Sequence, residues 1–292
     1  MPEPFSLGLI GYPLGHSLSP ALHQTALAEA SLTGTYSLFA IPPLPEGQTA
    51  LETLIHQLRR GELQGLNVTI PHKQSVLPLV DDLTPSARAI GAVNTLYMKS
   101  GRLIGDNTDA PGFLADISHL CLEGTKVALV LGAGGAARAV VYALFSQGWK
   151  IQIAALRPQQ AMDLREHFSH PMKEASQWVM IDFSTPAIQQ AGEQAHLIVN
   201  ATSAGMYPNV NECPWPEKLA LPKHACFYDL VYNPLETQLI RLAKAAGLPC
   251  RNGLGMLVEQ AALSFECWTG HKPTRSLMMD TVYKSLMARS KI

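Results

Sequence analysis

Two groups of residues in this chain have types and spacings that can do chemistry. The first is Gly132-Ala133-Gly134-Gly135-Ala136-Ala137, which fits G-x-G-x-x-G/A. Glycine there permits the tight turn and close backbone approach that a pyrophosphate needs, and a following helix N-terminus offers unpaired N–H groups to the anion. The second group is polar residues at the ends of apolar runs: Ser17 and Ser19; Asn67, Thr69 and Lys73; Asn94 and Thr95; Asn107 and Asp109. Each also has a local explanation. Ser19 before Pro20 is a helix start with serine as the cap, although two hydroxyls at such a junction can also hold a carboxylate. Thr108 or Asp109 can cap the helix that follows them, Asn94 and Thr95 suit a turn, and Lys73 can be a solvated lysine beside a structural His72. Together they say more than each alone. A core has little use for so many uncharged donors at strand ends, whereas a pocket for a polyhydroxylated ligand does.

The elements that must position these residues follow from the apolar pattern. Val127 to Leu131 is a short, wholly apolar run, as expected for a strand buried on both faces of a parallel sheet, and a helix is expected over 136–147. The glycine cluster and Arg138 in mid-span argue against a membrane helix there. Earlier in the chain, strands are expected at 5–11, 36–41 and 66–70. Between them lie a helix from Ser19 and another over 49–60, with Leu51, Leu54, Ile55 and Leu58 at helical spacing. Pro71 stops the third ladder, so His72 and Lys73 fall at its C-terminal edge, where open α/β sheets place their ligands. A hairpin is expected across 91–109, strands at 149–156, 196–200, 226–231 and 249–251, and helices over 256–268 and 274–288. Alternating strands and helices are the grammar of an α/β fold.

The 292 residues suffice for one large or two ordinary domains. A hydrophobic fraction of 47% implies a substantial core, and 22 basic against 23 acidic residues leave no electrostatic footprint for nucleic acid or an acidic membrane. The N-terminus has no positive region before its apolar residues, so no signal peptide is expected. Five cysteines, Cys121, Cys213, Cys226, Cys250 and Cys267, lack C-x-x-C spacing, and the ten histidines form no H-E-x-x-H pair. Neither a disulfide framework nor a metal site is expected, and a cytoplasmic location fits.

The segments GYPLGHSLSP, GLNVTIPHK, GAVNTL, GDNTDAPGF, GAGGAARA, NATSAGM, YDLVYNPLET and NGLGMLVEQA, in this order from Gly11 to Ala261, resemble the shikimate dehydrogenase family, which includes the quinate/shikimate dehydrogenases. The resemblance implies reversible, NADP-linked interconversion of 3-dehydroshikimate and shikimate in the chorismate route to aromatic amino acids. It implies Lys73 and Asp109 as the catalytic pair and Ser17 and Ser19 as carboxylate ligands. Asn67, Thr69, Asn94, Tyr232 and Gln260 would hold ring substituents or the carboxylate. The cofactor would lie on Gly132, Ala133, Gly134, Gly135 and Ala136, with Thr202, Ser203, Met206, Gly253 and Met256 towards the nicotinamide; Met256 also suits core packing. The chemistry agrees, because a lysine with a carboxylate nearby can accept, orient or relay the alcohol proton.

An NAD site carries an acidic residue ~20 positions beyond its glycines, and none occurs between Lys150 and Met162. Arg157 stands there and favours a 2′-phosphate, unless it is only an exposed loop arginine. NADP-dependent members read Asn-Arg-Thr-x-x-Arg at this point, whereas this chain reads Leu156-Arg157-Pro158-Gln159-Gln160-Ala161, with alanine for the second arginine. NADP is expected, with NAD or dual use as the alternative. The family's architecture implies two α/β domains: a substrate domain with a mixed sheet (1–108 plus 253–292) and a Rossmann-type NAD(P)-binding domain (109–252), with the C-terminal helices returning to the first. A monomer or homodimer with a small-molecule substrate is expected. The rivals are a quinate/shikimate dehydrogenase using NAD or both cofactors, and a non-catalytic nucleotide-sensing module, against which the retention of Lys73 and Asp109 argues.

Overall fold

Strand β1 (Phe5–Gly11) is buried from Leu7 onward because it has a parallel neighbour on each side, β2 (Gly34–Ala40) and β3 (Gly65–Val68). These coordinates are a computed structural model that describes residues 3–120, 124–169 and 178–289; Cys121 lies outside the described residues. Helix α1 (Ser19–Glu29) joins β1 to β2, and α2 (Gln48–Arg59) joins β2 to β3. After β3 come a short β4 (Asp82–Leu83), α3 (Pro85–Ile90) and the hairpin β5 (Thr95–Lys99) and β6 (Arg102–Asp106). The sheet order is β2-β1-β3-β5-β6-β4, mixed because β5 runs antiparallel to both β3 and β6. Leu51, Leu54, Ile55 and Leu58 of α2 bury against Ile10, Leu66, Val68 and Leu96, as the helical spacing requires.

Helix α4 (Asp109–Ile117) leads to a second sheet of six parallel strands: β7 (Val127–Leu131), β8 (Lys150–Ala154), β9 (Trp178–Ile181), β10 (Leu197–Asn200), β11 (Cys226–Asp229) and β12 (Cys250–Asn252). Its order, β12-β11-β10-β7-β8-β9, is that of a doubly wound Rossmann sheet, in which the strand order reverses between β7 and β10. Helices α5 (Gly135–Ser146), α6 (Pro158–Ser169), α7 (Thr185–Gln194) and α8 (Gln238–Ala245) make the crossovers. Leu129, Leu131, Ile198, Phe227 and Leu239 pack together with Trp215 in its core.

Helices α9 (Leu254–Thr269) and α10 (Arg275–Arg289) end the described chain. The chain divides into two compact units, Met1–Asp109 with Val258–Ile292, and Ala110–Leu257. In the first, α10 packs along α1, and the Trp268 ring covers the backbone of Gly65, where any side chain would collide with it. No described helix is long and apolar enough to cross a membrane. The four described cysteines are free, and among the described residues no group of His, Cys, Asp or Glu could hold a metal ion.

One expected detail is corrected. Ser19 is the first residue of α1 rather than its cap, and the cap position, Leu18, has no side-chain bond to give. The Ser19 N–H donates to Ser17 Oγ at 3.2 Å, so Ser17 supplies the acceptor that the helix start needs.

Candidate active site

At the end of β3 the chain turns through Thr69-Ile70-Pro71 and delivers Lys73 to the sheet edge. Two of the bonds that hold this turn fix His72 and Lys73 themselves. His72 is fully buried and its Nε2 lies 2.8 Å from the Ile41 carbonyl, to which it donates, and the Val93 N–H donates to the Lys73 carbonyl at 2.8 Å. Lys73 Nζ then reaches Asp109 Oδ2 at 2.5 Å, with side-chain exposures of 15% for the lysine and 6% for the carboxylate. Asp109 is fixed from other directions as well. Its Oδ1 accepts from Asn94 Nδ2 at 2.9 Å, and its N–H donates to Asn107 Oδ1 at 3.1 Å. Asn94 is itself locked: its Oδ1 accepts the Thr108 N–H at 2.8 Å, and its Nδ2 also lies 3.3 Å from Gln260 Oε1. The result is a half-buried ammonium on a carboxylate whose two oxygens both already accept bonds.

Behind the pair runs a buried polar chain. Tyr36 donates to Asn67 Oδ1 at 2.8 Å, Asn67 Nδ2 donates to Ser264 Oγ at 3.0 Å, and Ser264 Oγ lies 2.7 Å from Thr95 Oγ1. The Ser264 hydroxyl, which also faces the Gln260 carbonyl and Thr108, thereby links α9 to β3 and β5. Burial pushes the Tyr36 phenol well up, partly opposed by the Ser19 hydroxyl bonded to it. His23 stacks on Tyr36 with ring centroids 4.3 Å apart, and burial lowers its pKa to about 3, so the ring is neutral. Thr69 is anchored through its N–H to the Ile10 carbonyl at 2.8 Å, with its methyl against Gly11. Ser17 and Ser19 precede and open α1 in the same unit. Ser17, Ser19, Asn67, Thr69, Lys73, Asn94, Asp109 and Gln260 all therefore belong to the first unit. Tyr232, half-buried after β11, belongs to the second.

In the second unit, the glycine cluster sits at the end of β7, beside the end of β10. Gly132 has φ of +114°, and a Cβ on it would lie 2.9 Å from the Ala201 carbonyl oxygen and 3.1 Å from Thr202 Cγ2. A Cβ on Gly134 would meet nothing within 4 Å, so the loop faces open space there, and Gly135 opens α5. A tight glycine turn facing open space at a helix N-terminus and a strand-order reversal fits a dinucleotide pyrophosphate. Ala133 and Ala136 complete the loop. Arg157 is exposed after β8, one residue before α6, and Ala161 is partly buried on the first turns of α6.

Across the crevice from Gly132, Asn200 shapes the loop that holds Thr202, Ser203 and Met206. Its Oδ1 accepts both the Thr202 N–H (2.9 Å) and the Thr202 hydroxyl (2.7 Å), and its Nδ2 donates to Asp229 Oδ1 at 2.8 Å. Burial raises the Asp229 pKa to about 6, against the bonds it accepts from Thr237, Val231 and Asn200. Ser203 and Met206 are exposed. Gly253 is buried where a side chain would strike the Leu230 carbonyl, and Met256 is buried in the first turns of α9. The residues the sequence did not single out are Tyr36, Ser264, Asn200 and Asp229. Ser264 carried one signal, its i+4 spacing from Gln260.

Comparison with known proteins bears on both units. Residues 9–96 match the family model for the shikimate dehydrogenase substrate binding domain, and residues 253–283 match that for the shikimate 5′-dehydrogenase C-terminal domain. The chain is 42% identical over 286 residues to the shikimate dehydrogenase (NADP(+)) of Salinibacter ruber, covering 96% of each protein. It is also similar to shikimate 5-dehydrogenase from Thermus thermophilus, solved in complex with NADP(H) and shikimate. The TM-score is 0.82 at 38% identity, covering 97% of this chain and 100% of that one. Quinate dehydrogenase from Corynebacterium glutamicum in complex with NAD gives a TM-score of 0.84 at 31% identity, covering 96% and 99%.

Proposed function

The chain belongs to the shikimate dehydrogenase family, and from that premise we propose that it catalyses the reversible, NADPH-dependent reduction of 3-dehydroshikimate to shikimate, a step of aromatic amino acid biosynthesis. It is an oxidoreductase acting on a CH–OH group. The observation that carries the mechanism is the Lys73–Asp109 pair, held at 2.5 Å and braced by Asn94. NADPH, when bound, would supply the hydride that the carbonyl carbon takes up. Lys73 Nζ supplies the proton to the carbonyl oxygen and, in the reverse direction, takes it from the hydroxyl. Asp109 keeps that ammonium in place. Its part is orientation, while Lys73, the more exposed of the two, meets the substrate.

In the same reading, Ser17 and Ser19 receive the substrate carboxylate at the start of α1. Asn67, Thr69, Asn94, Gln260 and Tyr232 meet the ring hydroxyls or the carboxylate. Met1–Asp109 with Val258–Ile292 is then the substrate domain and Ala110–Leu257 the nucleotide domain. The N–H groups of Gly132 to Ala136 hold the pyrophosphate, Arg157 the 2′-phosphate, and Thr202, Ser203, Met206, Gly253 and Met256 the nicotinamide end. We place the enzyme in the cytoplasm, as a monomer or homodimer that acts without nucleic acid or membrane.

A second reading, quinate or shikimate oxidation with NAD or both cofactors, has one observation in its favour: Arg157 has no arginine partner at Ala161. The test is nicotinamide reduction with shikimate or quinate, each against NADP⁺ and NAD⁺. Shikimate with NADP⁺ far ahead is the expected result. Comparable rates with NAD⁺ or quinate support the second reading, and silence in all four combinations overturns both in favour of a nucleotide-sensing module.

A further inference from the structure

Asp229 is a buried carboxylate at the end of β11, fully shielded from solvent, with no cation paired to it among the described residues. A buried charge without a counter-ion is costly and persists where its bonds are needed. Its bonds tie the end of β10 to the segment between β11 and α8. Oδ1 accepts from Asn200 Nδ2 at 2.8 Å and from the Val231 N–H at 3.0 Å, and Oδ2 accepts from the Thr237 hydroxyl at 2.6 Å. Asn200 is also fully buried, so with Nδ2 held by Asp229 its orientation is settled, and its Oδ1 faces the N–H and hydroxyl of Thr202. The second Nδ2 hydrogen reaches the Ala204 carbonyl at 3.3 Å, and the Ala204 N–H returns to Thr202 Oγ1 at 3.1 Å. Thr237 acts on the far end of the same loop. It caps α8 through the Ile240 N–H, and its Cβ and methyl pack against Gly205, which has φ of +85°. The 200–205 segment is thus held by the carboxylate at Asn200 and bordered at Gly205 by Thr237, which bonds the same carboxylate.

We propose that Asp229 is a positioning residue for the cofactor, holding the 200–205 loop through Asn200 and Thr237 so that Thr202 and its neighbours present a fixed surface to the nicotinamide end of a dinucleotide. It touches neither cofactor nor substrate in this role. The inference rests on the proposed assignment of this loop to NADP.

The test is calorimetric titration of NADP⁺ into the protein without substrate, with thermal midpoints recorded for every variant. Asp229→Ala should weaken NADP⁺ binding by about tenfold or more, the loss expected when a buried hydrogen-bonding group is removed. Asp229→Asn keeps an acceptor for Asn200 and Val231 and should stay within about threefold of wild type. Thr237→Val should weaken binding and Thr237→Ser should restore it, which decides the matter if Asp229→Ala does not fold. The KM for shikimate should move far less than the NADP⁺ affinity, a split that general loosening of the fold would not produce. Folded Asp229→Ala or Thr237→Val protein binding NADP⁺ as tightly as wild type overturns the inference. If Thr202→Val also leaves affinity unchanged, or wild type binds no NADP⁺, the assignment of the loop falls first and takes the inference with it.

Discussion

Lys73 is made useful by what surrounds it. Its backbone is tied to Val93, the preceding His72 to Ile41, and its ammonium to Asp109, so the one mobile group left is the proton it carries. Lys73→Ala should lower turnover on the order of a hundred- to ten-thousand-fold. Its NADP⁺ affinity, measured by titration, should stay near that of wild type; lost binding with unharmed chemistry would assign the lysine a different role. Asp229 supports a pH prediction of the opposite kind. Its folded pKa of about 6 lies above the ordinary 3.8, so between these values the unfolded chain releases a proton that the folded chain keeps. Stability attributable to this group is therefore lost as pH rises through that window, by up to about 3 kcal/mol, and is constant above it. In urea unfolding, the stability of Asp229→Asn relative to wild type should rise between pH 4 and about 7, and a relative stability that stays level or falls over that range would contradict this. Asp229 leaves little trace in sequence, because it follows an apolar run like any strand end, whereas Lys73 and Asp109 stand out there and only their 2.5 Å contact needs the fold.

At the scale of elements, the crevice depends on how closely two strand ends approach. Gly132→Ala puts a methyl against the Ala201 carbonyl at a φ that side chains rarely adopt, so β10 or the loop must shift. We expect at least about tenfold weaker NADP⁺ binding and a stability loss of about 1–3 kcal/mol, read by titration and by urea midpoint. Unchanged affinity would show that the loop tolerates the shift. In β7, as in β1, sequence and structure agree residue for residue, and the apolar run of β7 is bounded by Lys126 and Gly132. Elements with weaker bounds were not legible. Helix α3 is six residues long, held by Thr84 at one end and left-handed Gly91 at the other, and is too short to show a period. Helices α6 and α7 carry few apolar residues among many glutamines and charges, and α8 is only eight residues long, although Leu239, Ile240 and Ala243 do mark its buried face. The α1 start was visible, but which serine bonds the helix N-terminus was not, since Ser17 and Ser19 both suit the place.

At the scale of the whole molecule, the units differ in continuity. Ala110–Leu257 is a single stretch with its own core, whereas the other unit is assembled from both ends of the chain. Without Val258 onward, Asn67 loses Ser264, Gly65 loses the Trp268 ring, and α1 loses α10. A chain stopped after Leu257 should lose turnover and the cooperative unfolding of its first unit, while a 110–257 fragment should keep its near-ultraviolet circular dichroism and bind NADP⁺. Turnover by the shortened chain would refute this. The discontinuity also sets a timetable for synthesis. Between the emergence of Asp109 and of Val258 the ribosome adds roughly 150 residues, on the order of ten seconds at ~5–20 residues per second. Throughout that interval the first sheet has all six of its strands but lacks Ser264 for Asn67 and Trp268 for Gly65, while the Rossmann unit is being made. A message cut short after Leu257 should thus yield a polypeptide that binds the nucleotide and cannot use it.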